Sequence, residues 1–268
     1  MGVITRDMAP KPALCRLTMM LRASALDVAI SSAYPQHPAG LTFCSLAFQQ
    51  GAPLLEAFEE CVYENPLLLS EFAQTDLLID SPRYLLVPSS AATDDLCYDM
   101  LQAVWPDTRD FQACPIPAAD SSLAMAPTDG ILAFARRTWL DTAPTHPLCP
   151  LAAYFSAHAE SELQLFAWLT PGSVYCLLYQ DEKLIAANSA NAACTADAAY
   201  FMLATASAYA ADHTATRYLL CGDSALCDEA SALLRNMKCT AAPAPFPAQV
   251  AAADTHTPFP IIATIFNK

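Results

Sequence analysis

Residues 161–188 read SELQLFAWLTPGSVYCLLYQDEKLIAAN, and few chains can make anything of such a stretch except a meander. Leu163, Leu165, Ala167 and Leu169 alternate onto one face. Pro171-Gly172 suits a type II turn, after which Val174, Cys176 and Leu178 resume the alternation. A polar corner, Asp181-Glu182-Lys183, leads into a third strand over Leu184 to Ala187. A small-residue helix (Ala196 to Ala211), a buried strand (Arg217 to Cys221) and a second helix (Ser224 to Asn236) complete a βββαβα order.

The first half repeats that order. Leu17, Met19 and Leu21, then Leu26, Val28 and Ile30, form a hairpin about a short Ala23-Ser24-Ala25 corner, and a Pro-containing loop (Tyr34 to Gly40) precedes a third strand through Leu41, Phe43 and Ser45. An amphipathic helix follows, with Leu54, Leu55, Phe58, Cys61 and Val62 inside and Glu56, Glu59, Glu60 and Glu64 outside, ending near Asn65-Pro66. Short strands at Leu77 to Ile79 and Tyr84 to Val87 flank a turn. Thr93, Asp94 and Asp95 then open a helix whose buried side is Leu96, Met100, Leu101 and Val104. Asp107 to Asp129 is expected to be irregular with one short strand, Phe111 to Ile116. Ile131 to Phe134 reads as a buried strand and Leu151 to His158 as helical; TAAPAPFPAQ after Asn236 reads as a connection, and Phe259 to Phe266 as a last strand or docked segment. The predicted organisation is a flexible tail (1–13), one lobe over 14–129 and a like-folded lobe over 130–268, facing each other across a cleft.

Charge restricts what such a pair of lobes can meet. With 13 basic against 27 acidic residues the net charge is −14, a field that repels nucleic-acid phosphates and anionic lipid. Leu14 to Ile30 is interrupted by Arg16, Arg22 and Asp27 and cannot span a membrane, and no signal-peptide core is expected, which makes a cytoplasmic protein the expectation. The 11 cysteines form no Cys-x-x-Cys pair and read as reduced, mostly apolar-position residues. His37, His146, His158, His213 and His256 are scattered, so no metal site is expected. Ser89-Ser90 lacks the flanking glycines of a nucleophile turn and reads as a helix cap. Asp76 and Asp80 could pair as carboxylates, though solvated residues are the commoner outcome. Trp168, Tyr175 and Tyr179 would either face a partner or be buried against helices, and burial is favoured.

The duplicated order resembles the actin-like ATPase (ribonuclease H-like) fold, an α/β fold with mixed sheets shared by sugar kinases, heat-shock chaperones and bacterial filament proteins. More narrowly, Leu17 to Ile30, LLIDSPRYLLVPSSAATDDLCYDML, VYCLLYQDEKLIAANS and RYLLCGDSALCDEASALL resemble an uncharacterised Bacteroidetes family (a domain of unknown function) assigned to that fold. The resemblance implies a nucleotide site built on an acid-x-glycine turn in each lobe's first hairpin. Here the first turn, Arg22-Ala23-Ser24-Ala25, has neither acid nor glycine, and Thr170-Pro171-Gly172-Ser173 keeps only the glycine. The adenosine-contacting turn would be Cys221-Gly222-Asp223-Ser224, with one glycine of the usual pair, in a chain that has 6 glycines in all. Gly172, Ser173, Gly222, Asp223 and Ser224 are therefore the candidate cleft residues, while Gly222-Asp223-Ser224 also reads simply as a strand-to-helix turn with an N-cap. No catalytic residue, metal or cofactor is expected. A degenerate, non-catalytic scaffolding module for a protein partner is the favoured function, with a divergent ATP-binding protein or ATPase/kinase and a small-molecule sensor as alternatives.

Overall fold

A computed structural model describes residues 4–33, 41–116, 119–209, 212–247 and 256–266. The loop Tyr34 to Gly40 with His37, and the ends of the helix and of the Pro/Ala connection expected at 210–211 and 248–249, lie outside the described residues. In the first half, β1 (Cys15–Arg22), β2 (Ala25–Ser32) and β3 (Thr42–Ala47) form an antiparallel meander, α1 (Leu54–Glu64) follows, and β4 (Gln74–Ile79) returns parallel to β1. The second half repeats this with β8 (Gln164–Thr170), β9 (Gly172–Gln180), β10 (Lys183–Ala192), α5 (Thr195–Ala208) and β11 (Arg217–Gly222) parallel to β8. The strand orders match: β3-β2-β1-β4 in one sheet and β10-β9-β8-β11 in the other, the latter extended by β12 (Thr240–Pro243).

The meander owes its shape to local chemistry. At the β8–β9 turn Thr170 pairs with Ser173 and Gly172 takes φ +98°, the positive value a type II turn needs at its third residue. At the β9–β10 turn Asp181 and Glu182 both have positive φ, the pattern of a type I′ hairpin. Strand alternation then sorts side chains into two cores. Leu165, Ala167, Leu169, Val174, Cys176 and Leu178 pack under α5 and α6 (Ser224–Asn236), whereas Phe166, Trp168, Tyr175, Leu177 and Tyr179 face the main core shared with the first half. Trp168, Tyr175 and Tyr179 are thus buried, and Tyr179 Oη donates to Ala152 O of α4 (Leu148–Ser156) at 2.8 Å.

Several expectations are corrected. Between β4 and α4 lies a separate three-stranded sheet, β5 (Tyr84–Pro88), β7 (Ser121–Met125) and β6 (Gln112–Ile116), covered by α2 (Asp94–Val104); so β4 and β5 belong to different sheets, and the region expected to be mostly irregular holds a central strand. Ile131 to Phe134 is the start of helix α3 (Ile131–Thr138), not a strand: Ile131, Phe134 and Ala135 turn inward at helical spacing, and Phe134 and Trp139 pack on Phe58 of α1. Phe259 to Phe266, expected as a last strand or a docked segment, is the latter: helix α7 (Phe259–Phe266), docked on α4 and β1, with Arg16 Nη1 donating to Ile265 O at 3.3 Å. The start of the expected Pro/Ala connection is strand β12, paired parallel with β11. Within the expected tail, Arg6–Met8 and Pro12–Leu14 are short 3-10 turns, and Ile4 and Ala9 seat in the main core.

Candidate functional site

The two hairpins converge on a cavity of about 700 Å³. From the first half come Met20 and Arg22 of β1, Asp27 of β2, and Phe43 and Ser45 of β3. The second half supplies Trp168, Thr170 and Pro171 at the end of β8, Gly222 at the end of β11, and Asp223, Ser224 and Asp228 at the start of α6, with Phe246, Thr257 and Phe259 closing one end. Of the sequence-predicted residues, Gly222, Asp223 and Ser224 line this cavity. Gly172 and Ser173 line a neighbouring one of about 310 Å³, which Asp223 also reaches.

Gly222 and Asp223 are explained by local structure. Gly222 has φ +116°, and a Cβ there would lie 2.0 Å from the Leu169 carbonyl oxygen. Only glycine lets β11 run that close to β8. The next amide, Asp223 N, donates to the same Leu169 O at 3.0 Å, and the Asp223 carboxylate caps α6 by accepting from Leu226 N at 3.0 Å. The positive end of the helix therefore already has its anion. One turn further on, Asp228 is exposed. Both carboxylates act on Cys227, whose thiol is pushed up to about 11, first by burial and then by these charges.

Across the cavity, Arg22 and Asp27 are the residues that sequence reasoning passed over. Arg22 Nε lies 2.6 Å from Asp27 Oδ2, Arg22 Nη2 donates to Asp27 Oδ1 at 2.8 Å, and Ser45 Oγ donates to Asp27 Oδ1 at 2.6 Å. Asp27 is fully buried and Arg22 half-buried, so the guanidinium is held in an ion pair with one hydrogen bond, from Nη2, and a close Nε contact that lacks hydrogen-bond geometry. The signal was present: Met20 faces Asp27 in the hairpin register, which puts Arg22 and Asp27 at diagonal positions on one face of the two strands, within reach of each other.

Behind the cavity the halves are tied by polar contacts. Tyr175 Oη donates to Asp80 Oδ1 at 2.6 Å, and Tyr84 Oη lies 3.0 Å from Ser189 Oγ. Burial pushes the Asp80 carboxyl up from its ordinary range, while the Tyr175 hydrogen bond and the Arg22 charge pull it partly back. Asp80 is consequently no solvated edge residue, and Asp76 is paired with Arg16 at 2.6 Å rather than with Asp80. His146, fully buried, accepts from Leu148 N at Nδ1 (3.2 Å), which leaves Nε2 to donate to Ser81 O at 3.1 Å; burial pushes its pKa down to about 4. All 11 cysteines are free thiols, Cys194 exposed, and among the described residues no group of three or more His, Cys, Asp or Glu is placed to hold a metal ion. No helix among them is long and apolar enough to cross a membrane.

The family model described as "Protein of unknown function (DUF3822)" matches residues 9–238, and the chain belongs to that family. A protein of actin-like ATPase fold and unknown function from Bacteroides thetaiotaomicron superposes with a TM-score of 0.76 over 87% of this chain and 91% of its own, at 13% identity. The PilM-PilN type IV pilus biogenesis complex gives a TM-score of 0.50 over 94% of this chain and 97% of its own, at 15% identity. No curated protein matches the chain. These likenesses establish an α/β, actin-like ATPase fold.

Proposed function

We propose that this DUF3822 protein is a cytoplasmic, non-catalytic actin-fold module that works by holding a protein partner. One observation carries the reading: Arg22, the one Lys or Arg among the described residues that line the interlobe cavity, is already paired with the buried Asp27. A metal-bound triphosphate needs free cations, carboxylates for the metal and open backbone N–H groups. Here the first hairpin turns on Ala23-Ser24, the second presents Thr170 where an acid would stand, and the α6 N-terminus is capped by Asp223. The residues do not fit a magnesium nucleotide. A partner role is supported by the fold's occurrence in the PilM-PilN complex, one arrangement in which this architecture is found alongside another protein.

Titration calorimetry with Mg-ATP tests the first half of the proposal, and the expected result is no saturable heat at millimolar nucleotide. Tight binding together with ATP turnover by the purified protein would overturn it. Pull-down from the native host followed by mass spectrometry tests the second half; a stoichiometric protein partner is expected, and its consistent absence would refute the partner role.

A further inference from the structure

We propose that the interlobe cavity is a receptor for a basic, apolar segment of a protein partner: a short stretch carrying Lys or Arg beside aromatic or aliphatic residues. The proposal deepens the partner-binding reading and rests on it. Three observations select this occupant.

The first is charge. Among the described lining residues Arg22 is the one Lys or Arg, set against Asp27, Asp223 and Asp228. Arg22 and Asp27 pair in charge, so the carboxylates that remain are Asp223, partly offset by the helix end it caps, and Asp228, both exposed at the start of α6; His256 is the other lining residue able to carry positive charge. Anionic ligands are repelled from such a cavity and cationic ones are drawn in.

The second is the apolar wall. Trp168 and Phe259 are 3% exposed and form the floor, while Phe246 is 46% exposed, stands over it and packs on Phe259 with ring centroids 5.8 Å apart. An aromatic face beside carboxylates suits a cationic side chain with an apolar stem or neighbour. A small polyamine would satisfy the charges but leave this wall uncovered, and a volume of about 700 Å³ is large enough for several side chains.

The third is an unpartnered hydroxyl. Thr257 lines the cavity, is 5% exposed, and its Oγ1 has no hydrogen-bond partner. Buried hydroxyls almost always have one. A hydroxyl both donates and accepts, so it can meet either group of a peptide backbone laid along the wall.

The test begins with a random heptapeptide display library panned against the full-length protein, after which the enriched consensus is synthesised with a fluorophore and its affinity measured by anisotropy. Enrichment of Lys or Arg next to Phe, Trp or Leu is expected. Asp228→Lys, at an exposed position, should weaken the consensus peptide about tenfold at low salt, and Asp223→Ser, which keeps a capping hydroxyl, should weaken it by a similar factor of about ten. Affinity should also fall as salt rises. Thermal melts confirm that both variants fold. The inference is overturned if no sequence is enriched, if the enriched sequences are acidic or uncharged, or if both folded variants bind as tightly as the parent. Calorimetry with Mg-ATP on the same sample separates the two claims. Absence of both ATP heat and enriched peptides removes the cavity assignment alone, whereas tight ATP binding removes this inference, and turnover with it removes the non-catalytic reading as well.

Discussion

Replacing Gly222 with alanine separates a glycine held by the fold from one kept for a ligand. Its φ of +116° lies where an L side chain is strained, and the added Cβ would sit 2.0 Å from Leu169 O and 3.0 Å from Leu169 N and C. Those are backbone atoms of the neighbouring strand, so relief requires β11 to move off β8. The backbone strain costs roughly 1–3 kcal/mol. Displacing the strand end also breaks the 3.0 Å bond from Asp223 N to Leu169 O, about 1 kcal/mol more. A total of roughly 2–4 kcal/mol corresponds to a melting temperature lowered by roughly 4–16 °C in a chain of this size. Gly172→Ala is the control. It has a positive φ of +98° as well, but nothing lies within 4 Å of its would-be Cβ, so only the backbone term of about 1–2 kcal/mol applies. Both variants are to be compared with the parent by calorimetry and urea unfolding. A Gly222→Ala protein melting within about 2 °C of the parent, or a Gly172→Ala protein harmed just as much, would refute the close-approach argument. It follows that loss of ligand binding in a bulky Gly222 variant would not by itself locate a ligand there.

His146 has a folded pKa of about 4 against an ordinary 6.5, so its contribution is present above 6.5 and is lost as pH falls through that window, by about 3 kcal/mol at 1.36 kcal/mol per unit. His146→Gln, which can still donate toward Ser81 O, should flatten the acid limb of a urea-derived stability profile, and an unchanged slope would count against the assignment. Asp80 behaves with the opposite sign: its pKa is raised, so its stabilisation is present below the ordinary carboxylate range and lost as pH rises through the folded value. Tyr175→Phe removes the donor that favours the ionised form, and should destabilise the protein by about 1.5–3 kcal/mol at pH 7, with the gap narrowing toward pH 4; a gap that widens in acid would refute the pairing. Asp27→Asn leaves the half-buried Arg22 without its counter-charge, for a loss of roughly 2–4 kcal/mol in chemical denaturation. The freed guanidinium should also let the variant take up inorganic phosphate in an isothermal titration where the parent shows none.

Elements whose signals are local were legible in the chain. Asp223 was expected to cap a helix over Ser224 to Asn236, and it does; Thr93 likewise caps α2 through Leu96 N. Alternation in the two meanders predicted both sheets and their repeated order, because a side-chain period of two leaves little choice once one face is apolar. Short apolar runs carried no such period. Ile131 to Phe134 is too short a run to show a period: α3 is amphipathic, with Ala133, Arg136 and Arg137 exposed, and its helical spacing shows only over the whole of Ile131–Thr138, while Phe259 to Phe266 is so uniformly apolar that no polar face marks it as a helix. Ser121 to Met125 has weak strand propensity and is a strand because β5 and β6 satisfy its backbone on both edges. The cleft divides in the same way. The missing acids and glycines of its turns can be read from the residues alone. That Arg22 is closed by Asp27, that Asp223 and Asp228 are left to set the field, and that Thr257 is left without a partner depend on which faces meet across a long loop closure, something only the tertiary structure decides.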